Sequence, residues 1–230
     1  SPLVFDRLQV SIILVGCAMV MALGLSIPLG VWAARRARKW DGVAITVLSQ
    51  IGIAIPSFLA AILLVAWFAV RLKWVPANGW SVPSEDFGGF VARLILPVIS
   101  LGIVQAAIMT RYVRSAVLDV MDEDFMRTAR AKGLSPGQAL MAHGLRNAAL
   151  PVLTVTGLQI TNLLIGAVVI EKVFVIPGLG SMLLQAVTDR DLPTVQTIVM
   201  VLVIFAVVVN AMVDVAYAVV DPRTRSEVTA

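Results

Sequence analysis

Charged residues divide the chain into long apolar blocks. Uncharged stretches occupy residues 8–34, 42–70, 94–110, 147–170 and 192–213, bounded in turn by Arg7 and Arg35, Asp41 and Arg71, Arg93 and Arg111, Arg146 and Glu171, and Asp191 and Asp214. A helix needs about 20 predominantly apolar residues to cross a bilayer. Four stretches reach that length directly. The third reaches it if Arg111 or Arg114 extends its stem and carries its charge to the interface. The runs are continuous rather than alternating, which disfavours a closed barrel. The pattern predicts an all-α polytopic membrane bundle. Its five transmembrane helices span about 8–34, 44–70, 94–113, 150–171 and 194–220, in a single domain over 1–230 with a long loop over about 114–149.

Composition excludes the soluble alternatives. Of the 230 residues 59% are hydrophobic and 14% charged, against about 45–50% and about 25% in a soluble domain, and the mean hydropathy is +0.94. One Cys and one His rule out a disulfide framework and a cysteine-built or multi-histidine metal site. Cys17 and the scattered Met residues read as packing, and His143 as structural. The net charge is +4, but the basic residues lie between apolar runs. They therefore set topology rather than bind nucleic acid. One set of connections holds 12 Lys and Arg, from Arg35, Arg36, Arg38 and Lys39 through the long loop to Arg223 and Arg225; the other holds 6, namely Arg7, Arg71, Lys73, Arg93, Lys172 and Arg190. The positive-inside rule puts the first set in the cytoplasm, the N-terminus outside and the C-terminus inside. With Ser1 as the first residue, an outside N-terminus reads as a sixth helix lying upstream. Residues 8–34 are too long for a signal peptide and end on Arg35 and Arg36. Trp74 and Trp80 suit the opposite membrane surface.

The long loop reads as two short helices. Asp122, Glu123 and Asp124 place negative charge on the first turn of one; Arg127, Arg130 and Lys132 place positive charge at its end; Gly133 stops it. Ser135 is then an N-cap, Pro136 the first helical residue and Gln138 the partner in a capping box. The second helix runs into His143, Arg146 and Asn147, and Pro151 opens the fourth span. Ala129, Ala131 and Gly133 would give this elbow a shallow surface suited to another protein's cleft. The plainer alternative is a solvated connection.

Arg127-Thr128-Ala129-Arg130-Ala131-Lys132-Gly133 resembles the EAA loop of permease subunits of binding-protein-dependent ABC importers. Ala129 and Gly133 match that pattern; Arg127 and Thr128 replace its Glu and first Ala; His143 stands in place of Ile, Leu145 matches Leu, and the proline comes later, at Pro151. The departures are similar to the peptide and nickel branch. So are Pro28-Leu29-Gly30, Ile55-Pro56-Ser57-Phe58, Glu171-Lys172-Val173-Phe174 with Pro177-Gly178-Leu179-Gly180, and Asp214 with Tyr217 and Asp221-Pro222-Arg223. The chain looks like the first of the two peptide permeases. The resemblance implies a coupling helix at Arg127, Thr128, Ala129, Arg130, Lys132, Gly133 and Leu134 that docks on a separate ATPase carrying ATP and Mg2+. It also implies a second homologous permease, an extracytoplasmic substrate-binding protein and a place in the plasma or inner membrane. The chain has no Gly-x-x-x-x-Gly-Lys-Ser/Thr loop, so no enzymatic role and no bound cofactor are expected of it.

Polar residues at membrane depth are pathway candidates or interhelical hydrogen-bonding groups: Gln50, Gln105, Gln159, Asn162, Asn210 and Asp214. Gln159 and Asn162 share a helical face. Pro28, Pro56 and Pro97 are candidate kinks, and for Pro97 the simpler reading is a helix start. Pro177-Gly178 suits a type II turn. On the resemblance, the segment holding Glu171, Phe174, Pro177 and Gly178 packs into the outer mouth as a gate; the plainer alternative is a frayed extension of the fourth helix. A secondary transporter or channel would instead show inverted repeats and more mid-membrane charge. An intramembrane protease would need a second spanning Asp or a Ser/His pair.

Overall fold

The computed structural model describes residues 2–220, in which the regular structure is helical throughout. Helix α1 (Pro2–Arg35) is followed by α2 (Trp40–Ala54) and by α3 (Ser57–Leu64), which continues as a π-helical turn over Val65–Arg71. Next come α4 (Phe87–Met121), α5 (Asp124–Ala131) and α6 (Pro136–Ala139). A π-helical turn over Leu140–Gly144 leads into α7 (Leu145–Val173), and α8 (Leu179–Thr188) and α9 (Leu192–Val220) complete the chain. The four stretches at Leu3–Arg35, Phe87–Met121, Pro136–Val173 and Leu192–Val219 are long and apolar enough to cross a membrane, and the bent pair α2–α3 reaches that length only with its two halves taken together, as a broken span or a re-entrant loop. The terminal signals at Asp221, Pro222, Arg223 and Arg225 lie outside the described residues.

Helices in lipid gain little from hiding apolar surface from one another, so close backbone approach decides which pairs pack. α1 carries small residues every fourth position at Ala18, Ala22, Ser26 and Gly30, all buried. This stripe lies along α4, where Ser100, Gly102, Ala106 and Thr110 are buried in turn. The fit is tight enough that a Cβ on Gly30 would sit 2.6 Å from the Val113 Cβ. Above the stripe, Leu14, Leu101, Leu164 and Phe174 form the main core; below it, Ala34, Val117, Met126 and Leu140 form a second one.

Three expectations are corrected. The second span is not one straight helix over 44–70: α2 and α3 meet at 94°. Ile55 (φ −89°, ψ 117°) and Pro56 (φ −61°, ψ 139°) are both extended, because the proline ring excludes the helical region for the residue before it. Pro97 does not start a helix; it is buried inside α4, which begins ten residues earlier at Phe87, where the Asp86 side chain accepts from the Gly89 N–H at 2.8 Å. Pro151 likewise lies inside α7, because the second loop helix runs into the fourth span without a break from Pro136 to Val173. A proline removes one backbone donor, which a long packed membrane helix tolerates. Cys17 is exposed on α1.

Candidate functional site

Two places gather the residues with chemistry. The first is the elbow between α4 and α7. Its α5 begins at Asp124 with Glu123 as N-cap and carries Arg130 in its last turn, so both ends suit the helix dipole. It closes in a Schellman motif: the Leu134 N–H reaches the Ala129 carbonyl at 3.3 Å and the Gly133 N–H reaches Arg130 at 3.0 Å. Gly133 has φ +94°, a left-handed conformation that costs a side-chain-bearing residue about 1–2 kcal/mol. Ser135 then caps α6. Its Oγ accepts from the Gln138 N–H at 3.4 Å, and the Gln138 Oε1 accepts from the Ser135 N–H at 3.0 Å, the reciprocal capping box.

The elbow turns one face inward. Met126 and Ala129 are buried against Ala139, Leu140 and Val117, so Ala129 packs mainly on the core and only its edge reaches the floor of a groove beside α5. Arg127, Thr128, Arg130, Lys132 and Gly133 are exposed and Leu134 is half-buried. Arg127 meets Asp124 at 3.2 Å, but both side chains are largely exposed, and such pairs contribute about 1 kcal/mol at most. Between α5 and the start of α7 lies a groove of about 560 Å³ walled by Phe125, Thr128, Lys132, His143, Arg146 and Asn147.

The second place is a clasp at the far end of the bundle. The Glu171 side chain is fully buried. Its Oε1 accepts from the Ser11 hydroxyl of α1 at 2.6 Å, and its Oε2 accepts from the Ser181 N–H at 2.9 Å. The Ser11 oxygen accepts in turn from the Leu179 N–H at 2.8 Å. Two of the otherwise unpaired donors at the start of α8 are thus held by side chains from α7 and α1, with an acidic group facing the positive end of the helix dipole. Gly178 is the N-cap, with φ −96° and ψ −178°. Any Cβ there would collide with the Glu171 carboxyl group. Gly178 is extended, so Pro177-Gly178 forms no type II turn: the glycine serves close approach, not a positive φ. The positive φ falls instead on Val175, at 54°. Phe174 and Ile176 are buried in the core, Pro177 is half-buried, and the Phe174 carbonyl accepts from the Gly79 N–H at 2.8 Å.

The remaining pathway candidates are dispersed. The Gln105 Nε2 donates to the Gln159 Oε1 at 3.1 Å, joining α4 to α7, while Asn162 is exposed one turn further on. Asn210 donates to its own helix at the Ala206 carbonyl, 2.9 Å away, and Asp214 is exposed. Gln50 is exposed on α2. Sequence reasoning missed Ser11, whose partner lies 160 positions away. It also missed α8, although Leu179, Met182, Leu183 and Ala186 follow a helical spacing.

Comparison with known proteins decides what these parts belong to. The family described as "Binding-protein-dependent transport system inner membrane component" matches residues 26–226. The chain belongs to this family. The oligopeptide transport system permease protein AppB of Bacillus subtilis is 40% identical over 225 residues, covering 97% of this chain and 71% of that protein. A putative peptide transport system permease protein of Brucella abortus is 41% identical over 226 residues, covering 98% and 72%. Among solved structures, the inward-facing MetNI methionine ABC transporter matches with a TM-score of 0.79 at 16% identity, covering 95% of this chain and 96% of that one. An amino acid ABC transporter solved with histidines matches with a TM-score of 0.69 at 15% identity, covering 94% and 93%. The permease is therefore a multi-pass membrane subunit of an ABC importer, and the expected helical bundle is its fold.

Proposed function

We propose that the permease forms half of a peptide pathway, driven by ATP hydrolysis on a separate subunit to which the elbow couples it. The observation that carries this is the elbow: an ordered, doubly capped turn joining the ends of α4 and α7, with Arg127, Thr128, Arg130 and Lys132 on its open side. A rigid contact of this kind transmits the closing of an ATPase pair to the helices above it. In this reading the elbow end and the end of α9 face the cytoplasm, and ATP and Mg2+ sit on the ATPase. A second homologous permease completes the pathway, and a substrate-binding protein delivers solute at the clasp end. The names of the relatives support peptides as the solute class. Gln159 and Asn162 line the path, and Glu171, Phe174, Pro177 and Gly178 form the outer gate, held shut by the Ser11 and Glu171 bonds.

Uptake of a labelled oligopeptide into proteoliposomes holding the permease and its partner subunits tests this. Open space surrounds a Cβ on Gly133, so Gly133→Arg adds bulk at the docking surface. Gly133→Asn tolerates the positive φ without that bulk. The Asn variant keeps ATP-dependent uptake and the Arg variant loses it. Wild-type uptake by the Arg variant would contradict the coupling role.

A further inference from the structure

Beside the elbow, a cavity of about 420 Å³ opens at the end of α1, rimmed by Trp32, Arg35, Arg36, Lys39 and Met141. Ile27, Val31 and Leu145 line it, and the same three residues line a second cavity of about 320 Å³. That cavity runs between α1, α4 and α7 along Val113, Val117 and Val152. The two adjoin at those three residues and together make a slot, cationic at its mouth and apolar within. The mouth is built on a fixed frame: Asp41 Oδ2 accepts from the Trp32 Nε1 at 3.0 Å and from the Arg36 Nη1 at 3.0 Å. Arg36 is thereby neutralised. Arg35 and Lys39 are exposed, and among the described residues neither is in an ion pair. The Arg35 guanidinium lies against Gly137 of α6, where a Cβ would come within 2.6 Å of its Nη2. Trp32, on the rim, and Trp40, at the start of α2, are 54% and 84% exposed, and exposed Trp beside basic residues suits a membrane interface.

We infer that this slot binds one anionic phospholipid of the elbow-side leaflet, with its phosphate between Arg35 and Lys39 and an acyl chain along Ile27, Val31 and Leu145. Basic pockets between membrane helices on the cytoplasmic side hold anionic headgroups. A guanidinium offers phosphate a two-pronged set of donors, and the charge at the mouth complements that headgroup rather than a neutral one. Only the leaflet assignment rests on the orientation proposed above; binding itself requires neither ATPase nor transport. The lipid would brace α1 against the elbow, since the slot is walled by both.

Native mass spectrometry of the full chain, titrated with dioleoyl phosphatidylglycerol or dioleoyl phosphatidylcholine, tests the site. One phosphatidylglycerol is held in preference to phosphatidylcholine, and Arg35→Gln with Lys39→Gln weakens it about 30-fold. The charge-conserving pair Arg35→Lys with Lys39→Arg retains it, which separates lost charge from lost folding. Glycerol 3-phosphate fails to displace the lipid, because it lacks the acyl chain. Undiminished affinity in the Gln pair would overturn the inference. So would equal binding of phosphatidylcholine, displacement by glycerol 3-phosphate, or a cross-link placing a second permease chain in the slot. Because the titration contains no ATPase, its failure leaves the transport reading standing, and a failed uptake experiment leaves the lipid site standing.

Discussion

Glu171 shows how much one side chain can organise. Its two oxygens and the Ser11 hydroxyl hold the first turn of α8 between α1 and α7. Glu171→Ala would leave the Ser181 N–H and the Ser11 hydroxyl without their acceptor, at about 1–3 kcal/mol for each buried group left unpaired. Gly178→Ala would force its Cβ into the carboxyl group, at a cost of about 1–3 kcal/mol. Both variants should speed amide hydrogen exchange at Leu179 and Ser181; unchanged exchange would show that the clasp does not hold α8. A milder effect belongs to Asp191. Its carboxyl is held below the ordinary value of 3.8 by the Thr194 hydroxyl, at 2.5 Å, and then by the Thr194 N–H, at 3.2 Å. A depressed carboxyl stabilises the folded form above its ordinary range and loses that contribution as pH falls through the lowered value. The Thr194 amide should therefore still be protected at the ordinary carboxyl value of 3.8 and lose that protection only at lower pH, and Asp191→Asn should weaken it at neutral pH. At this scale the sequence was partly legible. It marked Glu171, Phe174, Pro177 and Gly178 as one segment, but nothing local points from Glu171 to Ser11, and Pro-Gly suggested a turn because φ cannot be read from residue names.

Elements were legible where their signals are local. The ends of α5 and α6 follow from Glu123, Gly133, Ser135 and Gln138, whose partners lie within five residues. The α2–α3 break was visible as Pro56 but not in its extent, because a proline permits a bend and the neighbouring α4 and α7 fix the angle. That angle is open to measurement. A straight helix would place spin labels at Val43 and Leu63, both exposed, about 30 Å apart. A right-angled break near Ile55 brings them to about 22 Å. A distance near the longer value would show one continuous span. α8 escaped notice for a different reason: its ten residues cannot cross a bilayer, so a reading organised by span length treats them as loop.

At the scale of the whole molecule, hydropathy predicted five crossings; four are continuous helices, and the fifth apolar stretch is a bent pair, a broken span or a re-entrant loop. Which helix packs on which was also written in the chain, as small residues every fourth position from Ala18 to Gly30, but that stripe has meaning only once α4 is known to face it. The two ends of the bundle then acquire different characters. One is fastened by buried hydrogen bonds around Glu171; the other exposes a basic, capped elbow. In the proposed function the clasp is the outer closure and the elbow the handle by which a separate ATPase releases it. The most direct test of that account is co-purification. The permease is expressed with its candidate partner subunits and extracted in mild detergent, and the retained protein is assayed for ATPase. The account predicts that wild type and Gly133→Asn retain the ATPase and that Gly133→Arg loses it. A well-folded wild-type sample that retains no ATPase, or a Gly133→Arg sample that retains it fully, would contradict the coupling of this chain through its elbow.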